Sequence, residues 1–355
     1  MGGAETFLMK IYRHLDRSRY QMDFCTNVNE KQFYEDEILS LGGRIFRVPC
    51  KSQDRVGFKE GLYRVVRDNG YKYVLRAVSN ALGCWDVKIA SDAGAKVCAV
   101  RSCTAGGCSG IREWAAHMLG RLIYLRWVNC KIAPSDLAAG FLFGRGALRR
   151  GEVNILRNGV DIDVFKYDER IRAEVRAEFG LNDRVKIVGH VGRLSPEKNH
   201  RYLLKAFAEF SKKEENAYLL LVGGGGMEQQ LRETVSDLGI DRRVIFAGIR
   251  RDVPRLMSAM DVFAFPSFYE GMPNTVIEAQ ATGLPCVISD TITREANVTG
   301  MVRYLPIDES SIPAWAEAVN SALLMPRKNT RDDFVREGYE IGVVTEKFQK
   351  IIFEE

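Results

Sequence analysis

The sequence predicts an α/β protein made of two successive Rossmann-like domains with a cleft between them, and three observations carry that expectation. Strand-sized apolar runs alternate with amphipathic stretches from residue 20 to residue 156, the pattern of a parallel sheet covered by helices. The alternation restarts after Asn158-Gly159-Val160-Asp161, where Asn-Gly is a turn signal. The length of 355 residues suits two domains at roughly 100–200 residues each. The expected division is 1–160 for an N-terminal domain and 161–330 for a C-terminal one. A helix over 331–355 is expected to pack back toward the first domain.

Taken in order, Met1-Gly2-Gly3 leads into Ala4–Leu15, whose Phe7, Leu8, Ile11, Tyr12 and Leu15 keep helical spacing. A glycine pair opening a helix usually follows a strand, because the turn is tight and the helix amides are exposed. No strand precedes it here. The reading is either a plain flexible start or a first domain lacking its first strand, and the second is the expectation. Strands follow at Tyr20–Cys25, Arg44–Val48, Tyr73–Ala77, Lys96–Val100, Lys131–Pro134 and Val153–Leu156, with helices such as Lys31–Leu41 and Lys59–Asp68 between them. The charged stretch Lys166–Arg176 reads as a boundary and a solvated helix. The second series places strands at Val185–Val191, Ala217–Val222, Arg243–Ala247, Asp261–Phe265, Leu284–Ser289 and Val302–Leu305. Helix Asn199–Lys212 turns Leu203, Leu204, Phe207 and Phe210 onto one stripe.

Composition narrows the function classes. With 46% hydrophobic and 27% charged residues, whole-chain disorder is excluded. No apolar run approaches the ~18–20 residues of a membrane helix. The net charge of +5 is uneven: residues 1–150 hold 24 Lys+Arg against 14 Asp+Glu, and the remainder hold 27 against 32. None of the eight cysteines forms a C-x-x-C pair and only four histidines are present, so no metal site is expected. With no signal peptide in view, a reducing cytoplasm is the expected compartment.

Two stretches carry chemistry. In Phe268–Ser289, seven residues separate Glu270 from Glu278. Gly271 and Pro273 make a turn, and Asn274 reads as the N-cap of a helix ending at Gly283. Amides around Asn274 and Thr275 offer an anion site. The two carboxylates would repel phosphate but accept hydrogen bonds from sugar or ribose hydroxyls. The same spacing also fits a capped surface helix with two solvated glutamates. In Gly189–Asn199, Gly192 follows a strand and permits close backbone approach at its carboxyl end. Arg193 and Lys198 then supply the fixed cations a diphosphate leaving group requires, although two exposed basic residues in a loop would look the same.

In order and spacing, Glu270–Glu278, Gly192–Asn199 and Asn158-Gly159-Val160-Asp161-x-x-x-Phe165 resemble the retaining glycosyltransferases of family 4 (glycosyl transferases group 1), which have the GT-B architecture. Gly2-Gly3-Ala4-Glu5 resembles that family's amino-terminal glycine loop. The resemblance covers essentially the whole chain and is nearest to bacterial capsular and exopolysaccharide enzymes. It implies Arg193, Lys198 and Glu270 as catalytic residues, the first two on the diphosphate and Glu270 on the transferred sugar. It implies donor contacts from Gly2, Gly3, Gly192, Gly271, Met272, Pro273, Asn274 and Thr275, from Glu278 on the ribose, and from the backbone near Arg250 on the base. The implied reaction is metal-independent transfer with retention from a nucleotide-sugar, a UDP-sugar by expectation, with no cofactor. The implied acceptor is a glycan or a lipid-linked glycan, and the basic first half is expected to contact an anionic membrane face peripherally. Arg101 and Cys103 stand on the acceptor side, where relatives commonly carry histidines, so a degenerate or truncated paralogue that binds donor without transfer is the alternative.

Other signals are set aside. Asp161-Ile-Asp163 spells D-x-D but lies inside the boundary motif and reads as structural. Gly223–Gly226 lacks the Lys-Ser/Thr of a nucleotide-hydrolysing loop and reads as a wide strand-to-helix turn at the donor cleft. No G-x-G-x-x-G follows a strand, which excludes a nicotinamide oxidoreductase. No recognition motif or aromatic ladder accompanies the basic residues, which argues against nucleic acid.

Overall fold

The structure, a computed structural model, describes residues 3–103, 110–270 and 272–354. The chain divides into two compact units, Met1–Gly159 with Ile341–Glu355, and Val160–Glu340. All strand pairs in both are parallel, so every connection crosses over, and helices fill the crossovers.

The first unit holds two sheets. β1 (Phe24–Thr26) pairs with β2 (Ile45–Arg47), while β3 (Tyr73–Val78), β4 (Val97–Ser102), β5 (Cys130–Ala133) and β6 (Asn154–Ile155) lie in that order. Among the described residues no ladder joins the pair to the four. β4 is buried on both faces. Val97 and Ala99 pack with Phe7, Ile11, Phe348 and Ile352, while Cys98 and Val100 pack with Val87, Ala139 and Leu142. Helix Gly3–His14 therefore lies against helix Ile341–Phe353 on one face of this sheet. Helix Arg55–Asp68 starts four residues earlier than the sequence expects because Asp54 caps it, its Oδ1 accepting from Gly57 N at 2.7 Å.

The second unit is one six-stranded sheet. β7 (Lys186–Val191), β8 (Ala217–Val222), β9 (Val244–Gly248), β10 (Val262–Phe265), β11 (Cys286–Ser289) and β12 (Val302–Leu305) adopt the order β12-β11-β10-β7-β8-β9. The strand order reverses between β7 and β10, the switch point at whose carboxyl end such sheets bind ligands.

Two expectations need correction. The stretch Lys166–Arg176 is solvated on one face only, with Glu169, Arg170, Ala173 and Glu174 exposed. The helix is Glu169–Glu178, capped by Asp168, and it buries Val175 and Arg176 completely. Arg176 can be buried because its Nη2 meets Asp261 Oδ2 at 2.7 Å, and its remaining donors reach the carbonyls of Ala259, Asn182 and Val185. The tail is not one helix either. Arg331–Arg336 belongs to the second unit and Ile341–Phe353 to the first, with Gly338 at φ 71° breaking the run between them.

Candidate active site

Except for Gly2 and Gly3, the donor-side residues expected from the sequence lie in the second unit, after the carboxyl ends of β7, β9 and β10. β7 ends at Val191, and Gly192 turns the chain out toward Pro196–Lys198, a single 3-10 turn. Asn199 then takes a left-handed conformation at φ 53°, so that helix His200–Ser211 starts in a new direction. The glycines of the next strand end explain themselves sterically. A Cβ on Gly223 (φ 138°) would stand 1.9 Å from Gly192 O, and one on Gly225 would stand 2.3 Å from Leu194 O. The Gly223–Gly226 turn is thus pressed against the Gly192–Leu194 backbone, and no side chain fits between them.

The two motif loops are tied together. Phe268 N donates to Glu197 O at 2.9 Å, and Lys198 Nζ meets Glu270 Oε1 at 2.5 Å. Both side chains are largely covered, 19% and 15% exposed. The Lys198 ammonium also stands 5.0 Å from the Phe265 ring centroid. Arg193 is exposed and forms no ion pair with any described residue. A covered lysine–carboxylate pair beside an exposed arginine is suited to exchanging partners with an incoming anion, because the pair's own attraction is partly returned when a phosphate replaces the carboxylate.

Beneath this pair lies a layer the sequence reading overlooked. His190 and His200 are buried, with ring centroids 4.6 Å apart, and His190 stacks on Phe265 at 5.2 Å. His190 Nδ1 lies 2.9 Å from the carbonyl of Ala264, so Nδ1 carries the proton and Nε2 is bare. That Nε2 faces the strand end: a Cβ on Gly192 would lie 3.0 Å from it and 3.7 Å from Lys198 Cδ and Cε. Neither Nε2 of His190 nor either ring nitrogen of His200 has a hydrogen-bond partner among the described residues. Burial pushes the His190 pKa well below the usual value and that of His200 down to about 4, with Lys198 adding repulsion in both cases. The floor under Lys198 is therefore polar but uncharged at neutral pH. A histidine inside the apolar run Val188–Val191 was the available signal.

The helix carrying Glu278 is Asn274–Ala281, and here the expected cap shifts by one residue. Pro273 occupies the cap position, with no polar side chain to cap the turn itself, and Asn274 is the first helical residue. Proline's fixed φ suits the entry to a helix, and its missing N–H costs nothing there. Glu278 is half-buried in the second turn, and Thr275 is half-buried in the first. Met272 packs against the core and takes the Tyr339 hydroxyl at 3.7 Å, and Pro273 is buried. The Arg250 side chain is held by Asp252 and Glu178 at 2.7–2.8 Å. Gly271 lies outside the described residues, as does Gly2.

The remaining expected residues lie in the first unit. Gly3 opens helix Gly3–His14, and a Cβ there would meet no other described residue beyond its neighbours in the helix within 4 Å. Arg101 is 3% exposed on β4, its guanidinium stacked 3.7 Å over the Phe7 ring and its Nη2 donating to Asn158 Oδ1. No carboxylate pairs with it among the described residues, and burial lowers its pKa to about 10. Burial raises the Cys103 thiol, so it is not a reactive thiolate. Asp161 caps the short helix Ile162–Phe165, and Asp163 pairs with Arg331, so the D-x-D does structural work at both carboxylates. Among the described residues no cluster of three or more His, Cys, Asp or Glu is placed to hold a metal.

Comparison with known proteins now bears on this geometry. The glycosyl transferases group 1 family matches residues 171–341. EpsF of Bacillus subtilis (strain 168), which carries the name of a glycosyltransferase, is 33% identical over 340 residues, 95% of this chain and 88% of EpsF. The chain belongs to the glycosyl transferases group 1 family. This glycosyltransferase is also 29% identical, over 212 residues, to the UDP-Gal:alpha-D-GlcNAc-diphosphoundecaprenol alpha-1,3-galactosyltransferase of Escherichia coli, covering 56% of this chain and 54% of that one. Among solved structures, a glycosyltransferase from Rickettsia africae ESF-5 superimposes with a TM-score of 0.80 at 15% identity, covering 100% of this chain and 96% of that one. HepE of Anabaena, solved with UDP-glucose, gives 0.75 at 19% identity over 99% and 95%. The glycosyltransferase has the GT-B fold, two α/β units each built on parallel sheets.

Proposed function

We propose that this glycosyltransferase moves a sugar from a UDP-sugar to a hydroxyl of a glycan or lipid-linked glycan, with retention and without a divalent metal, in polysaccharide biosynthesis. The observation that carries the reading is the covered Lys198–Glu270 pair at the carboxyl ends of β7 and β10. The UDP-glucose complex of HepE and the lipid-linked acceptor in the E. coli relative's name support the choice of donor and acceptor.

In this reading Lys198 leaves Glu270 for the donor's diphosphate, and exposed Arg193 joins it. Glu270, released, accepts from a hydroxyl of the transferred sugar, and Glu278 accepts from the ribose. The turn from Gly271 to Thr275, including Met272, Pro273 and Asn274, lines sugar and phosphate, as do Gly192, Gly2 and Gly3, while the backbone at Arg250 meets the base. The bond from the anomeric carbon to the diphosphate oxygen breaks as the acceptor oxygen bonds that carbon from the same face. The acceptor's proton passes to the departing diphosphate. Two fixed cations on that diphosphate take over the work of a metal, and no strong general base is needed. Arg101 and Cys103 stand on the acceptor side. The site of action is the cytoplasmic face of a membrane. No helix among the described residues is long and apolar enough to cross one, so contact would be peripheral.

The test is UDP binding by calorimetry in EDTA, followed by transfer assays with a panel of UDP-sugars and NMR assignment of the product's anomeric configuration. Lys198→Ala is expected to lower kcat about 10²–10³-fold, the usual loss of a leaving-group stabiliser. Absence of UDP binding would overturn the donor assignment, and an inverted product the mechanism. Binding without turnover on any donor would favour a degenerate paralogue.

A further inference from the structure

Helix Ile111–Tyr124 in the first unit is turned inside out. Its buried residues are His117 and Gly120, the polar and the small one. Gly120 is needed inward, because a Cβ there would lie 2.7 Å from backbone atoms of Ala81 and Leu82. The His117 ring accounts for the rest of that face, lying between Ala81 N and the carbonyl of Phe141. The large apolar side chains point the other way: Ile111 is 85% exposed, Leu122 78%, Trp114 58% and Leu119 54%. At ~100° per residue, Ile111, Ala115, Met118 and Leu122 form one stripe, with Trp114 and Leu119 on its two sides and His117 and Gly120 opposite. Monomeric soluble proteins rarely expose so contiguous an apolar face.

Charge says what covers it. Over 111–127 the chain holds Arg112, Arg121 and Arg126 against Glu113 alone. On the helix, Arg112 lies beyond Leu119 and Arg121 beyond Trp114, so cations flank the stripe on both sides. Arg126 in the following turn stacks 4.0 Å over the Trp127 ring, with Lys88 5.0 Å away on the same ring. An apolar stripe with an aromatic edge and a basic rim is the profile of a helix lying in the headgroup plane of an anionic bilayer. At ~1.5 Å per residue, its 14 residues are too short to span one.

We propose that the face of Ile111, Trp114, Leu119 and Leu122, rimmed by Arg112, Arg121 and Arg126, is an interfacial membrane-docking surface for anionic lipid. The proposal deepens the peripheral contact in the functional reading above and rests on it for the lipid-linked acceptor, but its chemistry stands on this helix alone.

The experiment is flotation of the full chain with phosphatidylglycerol/phosphatidylcholine vesicles and with phosphatidylcholine alone. Binding to the anionic vesicles is expected, weakening as salt rises. Ile111→Ser/Leu122→Ser is expected to reduce it at least tenfold, and each of Arg112→Gln, Arg121→Gln and Arg126→Gln about fivefold. Quenching of Trp114 by brominated lipid, taken as the signal lost in Trp114→Phe, places the helix in the interface. Because the serines are on the surface, UDP-sugar hydrolysis in detergent-free buffer should be unchanged in the double variant, whereas Lys198→Ala should lose hydrolysis and keep flotation. Failure of the donor reading and failure of this one are therefore separable. No binding to anionic vesicles, or undiminished binding by the serine variant, would overturn the proposal. So would a lipid-free dimer that the serine variant converts to monomer, since the occupant would then be a second copy.

Discussion

The two units solve the same packing problem differently. In the second, one continuous six-stranded sheet separates two large cores. One is built on Ile187, Leu220, Phe263 and Ile288, the other on Val188, Leu219, Ala264 and Val287. In the first, a pair and a quartet of strands are served by four smaller clusters, among them Met9, Tyr12 and Ile38 beside the pair and Val48, Phe58 and Ile89 beyond it. Ion pairs follow suit. The second unit buries Arg176 against Asp261, 1% and 17% exposed, whereas Arg44–Asp23, Arg47–Glu35 and Lys51–Asp86 each keep a cation 32–58% exposed at the rim. The lesson concerns reach. A defect in the second unit should propagate through its sheet, and a defect in the first should stay local.

The largest test strikes the second unit where helix and sheet meet. Asp261 accepts from Arg172, from Arg176 and from Ile187 N of β7. Asp261→Ala is expected to destabilise this unit by about 3–5 kcal/mol, because it leaves a buried guanidinium without its counter-charge. Hydrogen exchange should quicken along β7, β8 and β10 together. Faster exchange confined to Ile187 alone would break the comparison.

Acid should expose the same contrast more gently. Above pH ~6.5 His200 is neutral folded and unfolded, so it contributes nothing to the pH dependence. As pH falls toward its folded value of about 4, the unfolded chain takes a proton the folded one refuses, and stability declines by up to about 3 kcal/mol. His190 acts in the same direction. The groups facing the pair are Lys198, which adds to the penalty, and Glu197, which opposes it for His200. His200→Phe should flatten the decline between pH 6.5 and 4 in urea titrations. An unchanged slope would place the acid sensitivity elsewhere, for instance at His117 of the first unit, whose burial also lowers its pKa.

Legibility in the sequence divides along the same line. Each strand of the second unit falls within, or for β9 one residue beyond, its expected run, and the runs are plainest at β8, β10 and β11, because strands buried on both faces need unbroken hydrophobic stretches. Residues such as Arg176 were misread, since its burial depends on Asp261, 85 residues away and invisible to local pattern. The same holds for His190 and His200, whose meeting depends on how the chain turns at Asn199. The motif residues Lys198 and Glu270 were legible as types and spacing, but their pairing arises from a backbone bond between their loops. In the first unit the short β1 and β2 drift by residues from their expected bounds, being only three residues each. The outward stripe of helix Ile111–Tyr124 was in the periodicity all along. Only the position of Gly120 against Ala81 decides which face is outward.

The smallest effect belongs to the first unit and tests whether its defects stay local. Asp54 caps helix Arg55–Asp68, whose Phe58 packs with Val48 and Ile89 in a small cluster that holds no residue of β4 or β5. Asp54→Ala removes one cap hydrogen bond and one favourable charge at the helix start, a loss of about 1 kcal/mol. If the first unit is an assembly of small clusters, exchange should quicken in the first turns of this helix and leave β3–β6 untouched. Asp54→Asn, which retains the acceptor without the charge, should recover most of the loss. An equal rise in exchange at Ala99 and Ile132, two clusters away, would show instead that the split sheets hide a single cooperative core.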